Sequence, residues 1–453
     1  MIKRSYNIFF AVLVLCIWSL SGCHHSPGSG NEVNIAEPMS KSQLSQGKTL
    51  TFFAPVEGKS SGAVSYRRLI DRYNKSHEVH VVFEGIATAD GYNEYLEERL
   101  KTGKGDDIFI VNEDSVKTLA HNGHFYDLSS LEAFEKLNDS AREEAVIGDT
   151  VYCIPMNMTA YALFVNMDVL AGYGLEAPDN LEEFKSCCTE IKALGGTPIS
   201  LSRWHATAVP TIAGGLYKLY GAPDFQNQLE LLNTGEALIG DYMVEGFKAF
   251  QTAVENGWYG DGVDGDIADA LRAGEQDISD FVSGRTAFYF GPLEYIPLVE
   301  EANPQPDYHV QGIPVPGGTA LLTTAVSRLC VNPHSENLDE AMEFVSYLSS
   351  EYYKESMKNG TIILPVYKSS DFTLSNEKMR PAYETYESGI RIPAEDMHLK
   401  FGSWDVVRKL CLEMFNGMPR RLQRNTTKSR WNRYPDMINR RYTLENKRRK
   451  KNL

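Results

Sequence analysis

The chain has few cysteines, and their spacing does not form a recognisable framework. Seven occur in 453 residues, and two of them, Cys16 and Cys23, fall in an N-terminal segment discussed below. The other five are Cys153, Cys187, Cys188, Cys330 and Cys411. An odd number without a C-x-x-C pair gives neither a disulfide scaffold nor zinc-ligand spacing. We expect most of these five side chains to be small buried hydrophobic groups.

The common catalytic signatures are also missing. There is no P-loop and no G-x-S-x-G elbow, and His77-Glu-Val-His80 lacks the spacing of a zinc-binding H-E-x-x-H motif. Gly260-Asp-Gly262-Val-Asp-Gly265 matches G-x-G-x-x-G, but it follows a helix-like segment, so we interpret it as a turn. Its carboxylates do not have EF-hand spacing. The sequence predicts a protein that is not an enzyme and that has no cofactor and no metal site.

Long apolar runs are rare, and the one that occurs lies at the N-terminus. It extends from Ile8 to Leu20, follows Lys3 and Arg4, and ends in Leu20-Ser-Gly-Cys23. Thirteen residues are too few to span a bilayer but suit the core of a signal peptide. We expect the Cys23 thiol to carry lipid and to tether the protein stably to the outer face of the bacterial cytoplasmic membrane. An uncleaved anchor helix with a chance cysteine is the alternative.

Positive charge is scarce except at the C-terminus. The chain has 45 Lys and Arg against 60 Asp and Glu, yet residues 420–453 contain 13 Lys and Arg and only two acids. The acidic body argues against nucleic acid as a partner. The basic tail fits contact with anionic lipid or envelope polymer, a solvated end, or a sequence altered by a change of reading frame.

Strand-like and helix-like segments alternate along the body, which begins near Lys48 after a Ser-, Gly- and Pro-rich tether. The first five segments are 50–54 (strand), 66–74 (helix), 79–83 (strand), 92–100 (helix) and 107–111 (strand). This βαβ order predicts an α/β fold with parallel strands covered by helices on both faces. Ligands of such folds bind at the carboxyl ends of the strands.

A capped helix is predicted from Asn180 to Leu194. Asn180 and Glu183 have capping-box spacing. Leu181, Phe184, Cys188 and Ile191 recur at helical spacing and predict one buried face. Packing explains this face, so the cysteine in it needs no chemical role.

No single segment of the chain is diagnostic of a protein family, but the order and spacing of several segments together are. The main part runs from Gly148-Asp-Thr-Val-Tyr-Cys-Ile-Pro-Met-Asn157 through Tyr161-Ala-Leu-Phe-Val-Asn166-Met-Asp168 to Gly174-Leu-Glu-Ala-Pro178. Supporting segments are 102–109, 281–292, 312–317, 338–348 and 363–366. In this order and spacing, roughly residues 48–418 resemble the extracellular solute-binding proteins that serve sugar-importing ABC transporters, the group that includes maltose-binding protein.

The resemblance implies two doubly wound α/β lobes joined by a multi-crossing hinge, the periplasmic-binding-protein-like type II fold. Crossings are expected near 157–161, near 314–323 and after about 388. The expected divisions are a signal peptide (1–22), a tether (23–47), an N-terminal lobe (48–158 plus 322–388), a C-terminal lobe (159–321 plus 389–419) and a basic tail (420–453).

The resemblance also nominates ligand-binding residues. A sugar presents apolar C–H faces to aromatic rings and hydroxyls to carboxylates or amides, and an unpaired buried hydroxyl costs about 1–3 kcal/mol. The candidates for the hydroxyl edge are Glu57, Asp114, Asn157, Thr159 and Tyr161. Trp404 corresponds to the stacking aromatic of the family, and Trp204 begins a loop expected to face the cleft. For both tryptophans, packing in the core is the competing interpretation.

One departure from the family pattern concerns the ligand. Many members have Trp after the Gly-Pro that here ends at Pro292, whereas this chain continues with Leu293-Glu294. A stacking platform is therefore expected to be missing there, and Glu294 is a candidate for a polar role instead.

These features together predict a lipid-anchored, monomeric binding protein. It is expected to capture a carbohydrate, with an oligosaccharide favoured, and to deliver it to an ABC permease driven by a cytoplasmic ATPase. The alternatives are a binding protein for a peptide, polyol, phosphorylated compound or metal, a surface-anchored glycan hydrolase, and a sensor or adhesion lipoprotein that uses the same cleft.

Overall fold

A computed structural model provides the structure of the chain. It describes residues 48–56, 60–87, 91–112, 115–201, 204–260, 276–302, 304–360, 364–368, 372–374 and 376–416. In these ranges, no helix is both long enough and apolar enough to cross a membrane.

Most strands join one mixed sheet, and β4 and β5 form a separate two-stranded sheet. The strands are β1 (Thr49–Ala54), β2 (His80–Gly85), β3 (Ile108–Val111), β4 (Val146–Ile147), β5 (Thr150–Val151), β6 (Ile154–Asn166), β7 (Thr197–Ile199), β8 (Thr286–Pro292), β9 (Tyr308–Gln311), β10 (Ile313–Val315), β11 (Gly318–Val331) and β12 (Ile390–Pro393). The main order is β2-β1-β3-β11-β6-β8-β7, with β10 and β12 also paired to β11 and β9 to β6.

Helices and short 3-10 turns connect these strands. The α-helices are α1 (Ser61–Ser76), α2 (Tyr92–Lys101), α3 (Val116–His121), α4 (Glu132–Glu135), α5 (Asp139–Ala145), α6 (Met167–Tyr173), α7 (Leu181–Ala193), α8 (His205–Tyr220), α9 (Phe225–Thr234), α10 (Ile239–Glu255), α11 (Gln276–Val282), α12 (Ile296–Glu300), α13 (Leu338–Lys358), α14 (Arg380–Ser388) and α15 (Trp404–Asn416). The 3-10 helices are Leu293–Tyr295 and Glu377–Met379.

The N-terminal elements confirm the predicted βαβ order. β1 pairs in parallel with both β2 and β3, and α1 and α2 provide the crossovers. All four residues of β3, which is parallel to β1 and antiparallel to β11, are buried, as a central strand covered on both faces requires. The apolar runs and helical spacings of this region therefore located five elements correctly, to within five residues at their ends.

The capped helix is also confirmed. The side chain of Asn180 accepts hydrogen bonds from the backbone N–H groups of Glu182 and Glu183, and the Glu183 carboxylate accepts from Asp179 N. The buried face of α7 includes Phe184, Cys188 and Ile191. All five cysteines outside the N-terminal segment are buried free thiols, which agrees with the packing role predicted for them.

Apolar side chains form two cores. Core one contains residues of β1–β3, α1, α2 and α13, including Phe52, Tyr73 and Phe344. Core two contains residues of α7, α8, α10 and α15, including Ile212 and Leu410. β6 and β11 contribute to both cores, since successive side chains of a strand point to opposite faces.

Of the three segments predicted to cross between lobes, the one in β11 is hydrogen-bonded to strands from the other two. β11 pairs antiparallel with β6, with Thr324 opposite Thr159, and parallel with β12, with Ala320 opposite Ile390. The register between β6 and β11 shifts on either side of Ser327, which marks a β-bulge opposite Asn157. β11 thus connects β6 and β12, which are more than two hundred residues apart in the chain.

Candidate functional site

The middle of β6 provides the first polar groups of the candidate site. Asn157, Thr159 and Tyr161 alternate along the strand and therefore point to the same face. The hydroxyl of Thr159 donates a hydrogen bond of 2.7 Å to Glu294 Oε2, and Thr159 itself is buried. The structure thus brings together two candidates, Thr159 and Glu294, that are 135 positions apart in the chain.

Asn157 lies on the same strand, two residues before Thr159. Its Oδ1 is buried and has no hydrogen-bond partner among the described residues. Leaving such an acceptor unpaired costs about 1–3 kcal/mol. A hydroxyl group that reached this oxygen would recover that cost.

Aromatic rings from distant segments meet at Tyr161. The rings of Tyr161 and Trp404 are stacked, with centroids 5.2 Å apart and an interplanar angle of 29°. His205, the first residue of α8, lies 5.2 Å from Tyr161 and 6.3 Å from Tyr295, measured between ring centroids. We call these four side chains the aromatic cluster. All four residues are only partly buried.

The aromatic cluster includes two residues that the sequence did not nominate. Leu293, at the position where the family pattern has Trp, is fully buried in core one. Tyr295, two positions later, supplies an aromatic ring at this end of β8. His205 directly follows Trp204 in the sequence, but no pattern there separated it from an ordinary surface histidine.

Trp204 is placed differently from Trp404. Its ring lies under the guanidinium group of Arg408 on α15, with 4.8 Å between the guanidinium carbon and the ring centroid. Its backbone oxygen accepts hydrogen bonds from the N–H groups of Thr207 and Ala208 at the start of α8. These contacts secure α8 against α15, and the role of Trp204 in ligand binding stays a prediction.

A carboxylate holds the helix that carries Trp404. Glu395 is buried, and its Oε2 accepts hydrogen bonds from Ser403 N at 3.1 Å and Trp404 N at 3.3 Å. Its Oε1 accepts one of 2.6 Å from Lys117 Nζ, which also donates to the backbone oxygen of Phe401 at 2.8 Å. A carboxylate is favourable here because the N-terminus of a helix carries partial positive charge.

A phenol on α8 binds the next residue of the same loop. The hydroxyl of Tyr220, at the end of α8, donates a hydrogen bond of 2.5 Å to Asp396 Oδ2. Burial, and next the nearby negative charge of Asp396, raises the pKa of Tyr220 well above its usual value. The phenol is therefore neutral at physiological pH and acts as a donor that fixes the loop after β12.

Three nominated residues lie outside the described part of the chain: Glu57, Asp114 and Cys23. Across the described ranges, no group of three or more His, Cys, Asp and Glu side chains is placed to hold a metal ion. The groups assembled at β6 are one carboxylate, one amide, one hydroxyl and several aromatic rings. This set suits recognition of a neutral polyhydroxylated molecule.

Comparison with known proteins identifies the fold. A family 1 extracellular solute-binding protein from Bifidobacterium longum subsp. infantis has a TM-score of 0.65 and 16% identity, with 88% of this chain and 100% of that chain covered. A sugar transporter from Bacillus licheniformis in complex with stachyose has a TM-score of 0.60 and 18% identity, with 83% and 97% covered. The predicted periplasmic-binding-protein-like α/β fold is confirmed by this likeness.

Sequence comparison adds the family. A multiple sugar-binding protein from Streptococcus mutans is 23% identical over 168 residues, which are 36% of this chain and 39% of that protein. The chain thus matches well under two thirds of the length of that relative. Residues 59–355 match the family described as bacterial extracellular solute-binding protein. Since this match covers more than half of the chain and agrees with the resemblance predicted from the sequence, the protein belongs to the bacterial extracellular solute-binding protein family.

Proposed function

We propose that the chain binds a carbohydrate, with an oligosaccharide favoured, and delivers it to an ABC importer. The observation that carries this proposal is the aromatic cluster beside Glu294, Thr159 and Asn157. Aromatic faces stack on the C–H surfaces of a sugar ring, and carboxylate and amide oxygens accept hydrogen bonds from its hydroxyls. No cationic side chain lies on β6 between Asn157 and Tyr161, which disfavours a phosphorylated or strongly acidic ligand.

The related proteins support the same ligand class. The Bacillus licheniformis protein was solved with stachyose, and the Streptococcus mutans relative is named for binding sugars. The permease and its cytoplasmic ATPase are the partners that this family membership suggests. We assign the chain no covalent chemistry and place it on the outer face of the cytoplasmic membrane, tethered through lipid on Cys23.

The proposed mechanism is closure of two lobes around the ligand. The lobes comprise residues 48–158 with 322–388 and residues 159–321 with 389–419, and the segments between them are those that pair in β6, β11 and β12. Contacts made only in the closed form shift the population towards closure, which the permease can then recognise.

Calorimetry on the purified full-length chain tests this function. The detergent must lack a sugar headgroup, since glycoside detergents would compete for the site. The panel contains raffinose, stachyose, maltooligosaccharides and xylooligosaccharides, together with peptides, polyols and sugar phosphates. Binding of one glycan series, with the glycan recovered intact, supports the proposal. Binding of only a charged or peptidic solute would replace the ligand assignment, and release of shorter products would identify a hydrolase.

A matched pair of variants locates the site. Trp404→Ala removes one ring of the aromatic cluster and should weaken binding on the order of 100-fold, since stacking combines apolar burial with aromatic geometry. Tyr95→Ala removes an aromatic ring that is 56% exposed on α2 and should leave the affinity unchanged. Equal affinity of the two variants would show that the sugar binds elsewhere.

A further inference from the structure

Lys117 connects two parts of the structure that pack separately. It lies on α3, whose neighbouring side chains Val116 and Leu119 belong to core one. Its ammonium group contacts Glu395 and the carbonyl of Phe401, and Phe401 belongs to core two. The ion pair therefore bridges core one to the segment that enters core two.

The pair is well shielded from solvent. The side chains of Lys117 and Glu395 are 16% and 9% exposed, and Nζ and Oε1 are 2.6 Å apart. A surface pair contributes little because water and salt screen it, whereas a shielded and hydrogen-bonded pair is more costly to break. Each charged group also hydrogen-bonds to the backbone of residues 401–404, so the pair holds this segment in place.

The second oxygen of Glu395 transmits this contact to the aromatic cluster. It accepts hydrogen bonds from the N–H groups of Ser403 and Trp404, and Trp404 stacks on Tyr161. Gly402 allows the close approach: a Cβ atom there would lie 3.0 Å from Glu395 Oε1. A continuous set of contacts thus leads from α3, through Glu395, to the first residue of α15.

We propose that Lys117 is a positioning residue for the ligand and that its ion pair with Glu395 is a latch between the two cores. In this role, Lys117 does not touch the ligand. It fixes the carboxylate that holds the backbone of Trp404, and it holds core one against the segment that carries this ring. The role in binding rests on the proposed function, but the positioning of Trp404 can be tested without any ligand.

The ligand-free experiment uses the full chain and amide hydrogen exchange. Lys117→Met should accelerate exchange at the amides of Ser403 and Trp404 on the order of tenfold, because Glu395 loses its partner and no longer holds them. Lys117→Arg keeps the charge and should restore protection. Lys101→Met, which breaks an exposed pair with Glu97 on α2, is the matched control and should change nothing at these amides. Unchanged exchange in Lys117→Met would overturn the proposal.

The second experiment measures binding of the sugar that the wild-type chain selects. The Kd of Lys117→Met should rise on the order of tenfold, mainly through faster dissociation, while Lys101→Met binds like wild type. Lys117→Arg should recover most of the affinity. A merely structural role predicts weaker binding only in proportion to a lower melting temperature, without recovery by arginine, and that result would also overturn the proposal.

The two proposals fail in different ways. If no solute binds the wild-type chain, the proposed function is wrong, and hydrogen exchange alone then decides whether Lys117 positions Trp404. If a sugar binds and Lys117→Met affects neither exchange nor affinity, the function stands and the latch is wrong. Glu395→Gln adds a check: its one amide oxygen can still accept from the N–H groups of Ser403 and Trp404 while the charge is removed, so it should weaken binding less than Lys117→Met does.

Discussion

The ion pair between Arg328 and Glu144 offers the sharpest test of the energetics in the centre of the sheet. Arg328 is fully buried on β11, Glu144 is 4% exposed on α5, and Nη2 lies 2.5 Å from Oε2. Arg328 Nη1 also donates to the carbonyl of Ala325 at 2.8 Å. We predict that Glu144→Gln will be strongly destabilising, because it removes the negative charge that faces the buried guanidinium group of Arg328.

The expected loss of stability in Glu144→Gln follows from the burial of the ion pair. Removing one partner of a buried pair costs about 3–5 kcal/mol, which is a large part of the roughly 5–15 kcal/mol that stabilises a native protein. With a denaturant slope of about 3 kcal/mol per molar urea, the unfolding midpoint should fall by about 1 M or more. Urea unfolding followed by circular dichroism measures this shift.

Two further variants decide whether the uncompensated charge is the cause. Glu135→Gln removes the partner of Arg142 in a pair whose glutamate is 71% exposed, and it should cost less than about 1 kcal/mol. Replacing both buried partners, as Glu144→Leu with Arg328→Met, should be less destabilising than Glu144→Gln alone, because no unpaired charge remains. The reasoning would be refuted if Glu144→Gln unfolded like wild type, or if the double variant were the less stable of the two.

Other predictions concern the thiols, a helix cap and a helix contact. Burial raises the pKa of Cys153 to about 12, so the native thiol keeps its proton at a pH where the thiol of the unfolded chain, with a pKa of about 8.5, loses it. The free energy of unfolding should therefore decline above about pH 8.5. Equal urea midpoints at pH 7 and pH 10 would contradict this prediction. Asn180→Ala removes the cap of α7 and should lower the melting temperature, with a cost of about 1 kcal/mol. Gly246→Ala would place a Cβ atom 2.0 Å from the carbonyl oxygen of Thr211, where α10 packs on α8. It should lower the free energy of unfolding in urea by about 1–3 kcal/mol. The control is Gly172→Ala, whose Cβ meets no atom within 4 Å and should leave the stability of the protein unchanged.

Local patterns predicted the elements of the fold well, and the reason is physical. The apolar run at 108–111 had to be a buried strand because all of its side chains need cover, and the spacing of Phe184, Cys188 and Ile191 fixed one face of α7. Such patterns depend only on neighbouring residues. They state which face is buried, but not which element covers it.

Contacts between residues far apart in the sequence could not be predicted from such local patterns. The stacking of Tyr161 on Trp404 and the ion pair of Lys117 with Glu395 join residues more than two hundred positions apart. Nothing near Lys117 in the sequence separates it from the many solvated lysines of the chain. The resemblance to a family nominated Trp404 and Tyr161, and a departure from the family pattern nominated Glu294, because the family supplied the order of segments that local periodicity lacks. Their role in binding a ligand still awaits its experiment.

The position of the β-bulge links the buried ion pair to the proposed closure. The register of β6 against β11 shifts around Ser327, opposite Asn157 and next to Arg328. A bulge bends the strand and increases its local twist. The pair of Arg328 with Glu144 fixes one side of it, while the groups nominated for the ligand extend from the other side along β6. If the lobes close as proposed, β6 and β12 must bend together with β11 because each of them is hydrogen-bonded to it, and closure is then a single concerted motion that includes the bulge.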